Sequence, residues 1–148
     1  MDMDGTEKSS VLIVDDSIES IMMLTFILKY DYIIYKATSG KEALDSVMRN
    51  KPDIILLDVL MPKMDGYDVL LALKKNDETK DIPVIFVTGL TEASDEEKGL
   101  SMGASDYITK PFSDAIVKLR VEKQLKLGKL EQKYNEAMAE LASLGKIV

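Results

Sequence analysis

The sequence predicts an open α/β fold, in which parallel strands alternate with helices and the chemistry collects along one edge of the sheet. Three observations lead there. Short apolar blocks recur along the 148 residues, and most lack the polar alternation of a strand with one wet face. Stretches of helical length separate them, giving five β-α units rather than the eight of a closed barrel. Several blocks run straight into a charged or hydroxyl residue, at the end of the strand where such sheets place their sites.

The elements follow in order. The candidate strands are "VLIV" (11–14), "YIIY" (32–35), "IILL" (54–57), "VIFV" (84–87) and "YI" (107–108). Between them, "SIESIMMLTFILKY" is long and rich in apolar residues. "SGKEALDSVMRN" opens with Ser39 and Glu42 at capping-box spacing, and "SDEEKGLSMG" repeats that signal with Ser94 and Glu97. "GYDVLLALKKN" begins at Gly66, which with Pro62 shapes the preceding turn, where glycine is expected to supply backbone angles denied to other residues.

Composition narrows the chemistry. A chain of this length is most simply one domain, able to bury about two-thirds of its unfolded surface. With no cysteine, disulfides and thiolate metal sites are excluded. With no histidine, the usual general base is missing, and any phosphohistidine must belong to another molecule. The net charge is -7, with 12 basic and 21 acidic residues before Ser113 and 7 and 5 from there on. The acidic body disfavours nucleic acid binding. No apolar run approaches the roughly 18 residues of a membrane span, and "MDMDGTEKSS" lacks the basic and apolar regions of a signal peptide. A cytoplasmic protein is the expectation.

The strand ends carry the strongest signal. Asp15 and Asp16 follow the first strand, Asp58 the third, Thr88 the fourth, and Lys110 with Pro111 the fifth. Singly, each has an ordinary reading: Asp15 or Asp16 as a helix cap, Thr88 as a strand end, Lys110 as a surface charge. Together they bring three acids, a hydroxyl and an amine to one edge. Packed carboxylates repel and are costly to desolvate, and a divalent cation relieves both problems. All-oxygen ligands suit Mg2+, with Mn2+ as the alternative, better than zinc. Such a metal can gather a phosphoryl group whose oxygens Lys110 and Thr88 help to bind, leaving Asp58 as a nucleophile able to form an aspartyl phosphate.

"VLIVDD", "DIILLDVLMPKMDG", "VIFVTG" and "GASDYITKPF", in that order, resemble the successive motifs of the receiver domains of two-component response regulators. The resemblance covers residues 9–125, with 126–148 as a helical extension or a linker to an output module. It implies a flavodoxin-like doubly wound sheet of five parallel strands in the order 2-1-3-4-5, a strand order that general accounts of this fold illustrate with a chemotaxis receiver. It implies that Asp58 accepts phosphoryl from a sensor histidine kinase or a histidine phosphotransfer protein. It further implies that Mg2+ is bound by Asp16, Asp58 and the Leu60 carbonyl, with Asp15 acting largely through water. A cis peptide before Pro111 would aim Lys110, and Tyr107 would be a switch aromatic turning inward as Thr88 moves. The chain would then be a signalling phosphoacceptor rather than an enzyme in the ordinary sense. Leu60 and Leu90 depart from the pattern, since many members carry polar groups there.

Beyond Ser113 no further strand is predicted. Leu127, Leu130, Tyr134, Ala137, Leu141, Leu144 and Val148 alternate spacings of three and four, a heptad seam of about three repeats. A continuous helix over 113–144 would be about 48 Å long, too long to pack wholly on so small a domain. The expectation is a homodimer through this helix, Lys126 near Glu131 of the other chain, and Gly145 as the stop. An output domain on the same or another chain is also expected. The rival readings are a Mg2+-dependent phosphatase or phosphotransferase using an aspartyl intermediate, a flavin-binding fold, and a receiver-like interaction module that is never phosphorylated. The first lacks a cap region to enclose a substrate, and acidic "DDSIES" opposes the second.

Overall fold

The computed structural model describes residues 7–145. Five strands, β1 (Ser10–Val14), β2 (Ile33–Ala37), β3 (Ile54–Leu57), β4 (Val84–Thr88) and β5 (Asp106–Thr109), alternate with helices α1 (Ile18–Leu28), α2 (Gly40–Asn50), α3 (Gly66–Lys74), α4 (Ala93–Ser101) and α5 (Asp114–Ser143). The sheet is parallel throughout, in the order β2-β1-β3-β4-β5.

The unalternating apolar blocks become the three central strands because each needs an apolar face on both sides. Val11 and Ile13 of β1, with Ile54 and Leu56 of β3, meet buried residues of α1 and α5. Leu12, Val14, Ile55 and Leu57 point the other way, onto buried residues of α2 and α3. Strand β2 lies at an edge and pairs with β1 alone, Ser10 opposite Ile33 through Val14 opposite Ala37. That register extends it to Ala37, two residues beyond the predicted block, and leaves Ile33 exposed.

The helix starts divide. Ser17 caps α1, and Ser39 caps α2 by accepting from Glu42 N at 3.1 Å. The Glu42 carboxylate instead accepts from the Thr38 hydroxyl at 3.3 Å. For α4 the Ser94 cap is corrected. The helix begins two residues earlier, with Glu92 at its cap and no side-chain cap bond, and Asp95 and Glu96 in the first turn face its positive end. A full capping box that the sequence reading missed opens α3, where Asp65 and Asp68 satisfy one another's backbone N–H groups. Its acid-x-x-acid spacing was the available signal.

Helix α5 runs 30 residues, about 45 Å at 1.5 Å per residue. Val117, Val121 and Leu125 bury its first half. Past Leu125 the seam is exposed: Leu130 at 63%, Tyr134 at 62% and Leu144 at 64%, with Ala137 likewise open. The distal half therefore does not pack its seam on its own domain. Leu144 caps the helix and Gly145 follows at φ 73°, the left-handed angle that glycine adopts freely. Lys126 pairs with Glu122 of its own helix at 2.9 Å. Val148 and the first six residues of "MDMDGTEKSS" lie outside the described residues.

Candidate functional site

Sheet hydrogen bonding carries the polar residues to their places. Beyond the last paired residues, Asp15 N donates to Ala37 O at 3.1 Å and Asp58 N to Val14 O at 2.9 Å. Lys110 N likewise donates to Thr88 O at 2.8 Å. Each residue thus extends a ladder anchored in the core, which fixes its side chain with little freedom left to lose. The Lys110–Pro111 peptide is cis.

The result is a compact acidic cluster. One carboxylate oxygen each from Asp15, Asp16 and Asp58 lies within 4.8 Å of the others, with Asp15 and Asp58 buried and Asp16 exposed. Lys110 Nζ donates to Asp15 Oδ2 at 2.6 Å and stands 3.7 Å from Asp58 Oδ2. Asp15 Oδ1 accepts from Ser17 N at 2.9 Å, so the acid that begins the turn also braces the start of α1. Asp58 Oδ1 accepts from Leu60 N at 3.4 Å.

Burial pushes the Asp58 carboxyl above the ordinary carboxylate range, and the Asp15 charge pushes it further the same way. Lys110, the nearby Thr88 hydroxyl and the Leu60 N–H pull in the opposite direction without cancelling the rise. One ammonium among three acids leaves the cluster short of positive charge. All-oxygen donors, close spacing and excess negative charge fit a hard divalent cation such as Mg2+.

The loop after β3 departs from expectation in one respect. Gly66 does not supply an unusual backbone angle; the left-handed residue there is Lys63, at φ 68°. Glycine is required at 66 by close approach instead. An added Cβ would stand 2.3 Å from Asp58 O and 2.8 Å from Val59 Cα. Gly66 N donates to Val59 O at 2.9 Å, and Met64 N to Pro62 O at 2.8 Å. The backbone of Asp58 is thus clamped against the start of α3, a contact with no local signature beyond the glycine itself.

Tyr107 lies behind the cluster. It is 5% exposed, and its hydroxyl donates to Leu90 O at 2.9 Å, two residues past Thr88. Its ring meets Phe86 edge-on at 6.2 Å, Phe86 meets Tyr67 at 5.6 Å, and Lys98 Nζ caps the Tyr67 ring at 4.1 Å. The aromatic is already inward, with its hydroxyl held by the segment that Thr88 leads into. Leu60 has an exposed side chain and Leu90 a half-buried one; the Leu60 N–H reaches Asp58 and the Leu90 N–H reaches the Thr88 hydroxyl. The seam residues from Leu127 to Leu144 lie on the opposite side of the molecule from this edge, along the distal part of α5. A cleft of about 550 Å³ between α5 and the loops before β3 and β4 lies at the other end of the strands, and no residue of the acidic cluster lines it.

The family model for the response regulator receiver domain matches residues 11–122. A Vibrio cholerae protein named a probable cyclic di-GMP phosphodiesterase is 42% identical over 125 residues, which is 84% of this chain and 28% of that protein. Response regulator PleD of Caulobacter vibrioides is 42% identical over 112 residues, 75% of this chain and 25% of that protein. The chain thus spans about a quarter of the length of either relative. Among solved structures, the Vibrio cholerae chemotaxis protein CheY4 superimposes with a TM-score of 0.73 at 29% identity, covering 80% of this chain and 99% of that one. No helix among the described residues is long and apolar enough to cross a membrane. By the motif order, the 2-1-3-4-5 sheet and the family match over residues 11–122, this chain belongs to the response regulator receiver domains of two-component signalling.

Proposed function

We propose that this chain accepts a phosphoryl group on Asp58 from a phosphohistidine of a sensor kinase or phosphotransfer protein in the cytoplasm. The observation that carries the reading is the meeting of Asp15, Asp16 and Asp58 within 4.8 Å, with Lys110 on Asp15 and 3.7 Å from Asp58. In the transfer, an Asp58 carboxylate oxygen forms the bond to phosphorus as the donor's phosphorus–nitrogen bond breaks, and the electron pair leaves with the imidazole. Asp16, Asp58 and the Leu60 carbonyl would hold Mg2+, with Asp15 acting through water. When bound, the ion offsets the charge of the acids and of the incoming group. Lys110 and the Thr88 hydroxyl bind phosphoryl oxygens.

The new charge on Asp58 draws on Thr88, and Thr88 leads into Leu90, whose carbonyl holds the Tyr107 hydroxyl. That linkage supports Thr88 and Tyr107 as the switch pair. The receiver function is assigned to residues 9–125. The extension from 126 onward, with Leu127, Leu130, Tyr134, Ala137, Leu141 and Leu144 on its open face, pairs with a second copy and passes the change to an output partner on the same or another chain. The chain catalyses only its own phosphorylation and dephosphorylation.

Intact mass after incubation with Mg2+ and a small phosphodonor tests this. One phosphoryl adduct is expected, absent from Asp58→Asn and absent without metal. An adduct that survives in Asp58→Asn refutes the assignment. If no adduct forms and beryllofluoride also fails to bind, the chain is an interaction module.

A further inference from the structure

The face of α5 that packs on the sheet continues past the point where the sheet ends. At 100° per residue, Gly128, Gln132, Asn135 and Ala139 fall within the same arc of about 80° as buried Val117, Val121 and Leu125. With the loops before β3 and β4, this inner face encloses the cleft of about 550 Å³. The seam from Leu127 to Leu144 lies about 170° round the helix. Pairing of rods along the seam therefore leaves the cleft open.

The cleft joins an apolar floor to acidic walls. Pro52, Ile82, Pro83 and Leu125 are the apolar part of its lining. Asp53, Asp77, Glu78 and Asp81 stand on the loop side, and Glu131 and Glu136 on the helix side. Against these six acids the lining holds one cation, Lys129, whereas the whole chain has 26 acidic and 19 basic residues, so the imbalance is local to the cleft. Of the six, only Asp77 has a cation within salt-bridge reach among the described residues, Lys80 at 3.2 Å. Gly128 is a second mark of an occupant. It lies in the interior of α5, where only proline is a poorer helix former, yet a Cβ added there would meet nothing within 4 Å. No contact within the chain calls for glycine at 128; close approach by another backbone would. A second hollow of about 440 Å³ shares Pro52, Glu78 and Ile82 with the first and carries it on to Val47 and Met48 of α2. Two joined hollows suit an elongated ligand.

We propose that this cleft docks a basic, amphipathic segment of a partner protein, with its apolar side chains on the floor and its lysines or arginines between the two acidic walls. Charge complementarity decides the occupant. A nucleic acid, an acidic segment or the acidic receiver body of a second copy would meet like charge here. The site lies at the opposite end of the strands from Asp58, and none of the acidic cluster lines it. It therefore stands apart from the phosphoacceptor reading, and a bound segment leaves Asp58 open to its donor.

Fluorescence anisotropy on the full chain tests it. The probe is a labelled peptide of leucine and lysine in amphipathic helical order, compared with its glutamate-for-lysine counterpart and with spermidine as a small polycation. Asp81→Lys with Glu131→Lys reverses a charge on each wall, and Gly128→Leu fills the cleft with a residue that favours helix. Asp45→Lys with Glu97→Lys is the control, making the same change in net charge at exposed positions of α2 and α4. Circular dichroism first checks each variant for native helicity. Lysine-peptide binding that weakens about tenfold or more in both cleft variants, and no more than about twofold in the control, supports the proposal. No binding to the native chain, full binding in either cleft variant, or an equal loss in the control overturns it. Equal binding of the glutamate peptide overturns the charge argument, and displacement of the lysine peptide by equimolar spermidine overturns the segment in favour of a small polycation. If sedimentation shows a native self-association that both cleft variants lose, the occupant is a second copy and the proposal fails.

Discussion

Lys110 is held closer to Asp15 than to Asp58: its ammonium donates to Asp15 at 2.6 Å and stands 3.7 Å from Asp58. It is the only cation within salt-bridge reach of either acid among the described residues. Lys110→Met should therefore leave a buried carboxylate at Asp15 facing a second one. Removing one partner of a buried pair costs about 3–5 kcal/mol, and a cost of about 2–4 kcal/mol is expected here because Lys110 keeps a quarter of its side chain in water. Millimolar Mg2+ should restore more stability to this variant than to the native chain. Thermal melts with and without the metal read both effects, and equal gains from Mg2+ would argue that the ion binds elsewhere.

Asp58→Asn should raise the melting temperature of the metal-free protein by a few degrees at neutral pH. The folded protein holds the Asp58 carboxyl above its usual range, so ionisation is costlier folded than unfolded. A group raised in this way favours the fold below its unfolded pKa and loses that contribution as pH rises through the folded one. The advantage of Asn should thus shrink to nothing in acid, where Asp58 is protonated in both states. Melts across pH 3 to 8 follow it, and a pH-independent gain would trace the effect to packing instead.

Gly66→Ala should destabilise by about 1–3 kcal/mol, because its Cβ would meet Asp58 O at 2.3 Å and neither backbone can yield freely. Gly89→Ala, where an added Cβ meets nothing within 4 Å, is the control. Denaturant titration compares them. Since the strain falls on the Asp58 backbone, Gly66→Ala should also weaken Mg2+ binding, and unchanged affinity would separate the clamp from the site.

Tyr107 should ionise only at about pH 12, pushed up by burial first and then by Tyr67 and the acids near it. Its stabilising contribution is complete below the ordinary tyrosine value of 10 and is lost as pH climbs toward 12. Ultraviolet difference titration should show a late step that vanishes in Tyr107→Phe. The same variant gives up the bond to Leu90 O, at a cost of about 0.5–1.5 kcal/mol.

The phosphoryl group should be long-lived, because Leu60 and Leu90, two residues past Asp58 and Thr88, have side chains that cannot hydrogen bond an attacking water. Leu60→Asn with Leu90→Gln should shorten its lifetime several-fold in a mass-based decay assay. An unchanged lifetime would remove the two leucines as the cause.

Much of this molecule was legible in the sequence because its signals are local. An apolar run bounded by turn residues announces a buried strand, and a polar residue directly after it must emerge at the carboxyl end. That is why β1, β3 and β4 were located to within a residue and why Asp15, Asp16, Asp58, Thr88 and Lys110 could be nominated together. The long α5 was visible through its spacing, and Gly145 through its own chemistry. Contacts between distant segments needed the tertiary structure. Ser94 carries a capping pattern, yet α4 starts at Ala93, since the chain path into a helix outweighs a weak local preference. Only the fold shows that Gly66 must lack a side chain because Asp58 O occupies the space, and that Lys110 reaches Asp15 before Asp58. The apolar face of α1 tells the same story. Sequence shows a helix greasy on every side, but only packing reveals which half the sheet covers and which half is left in water.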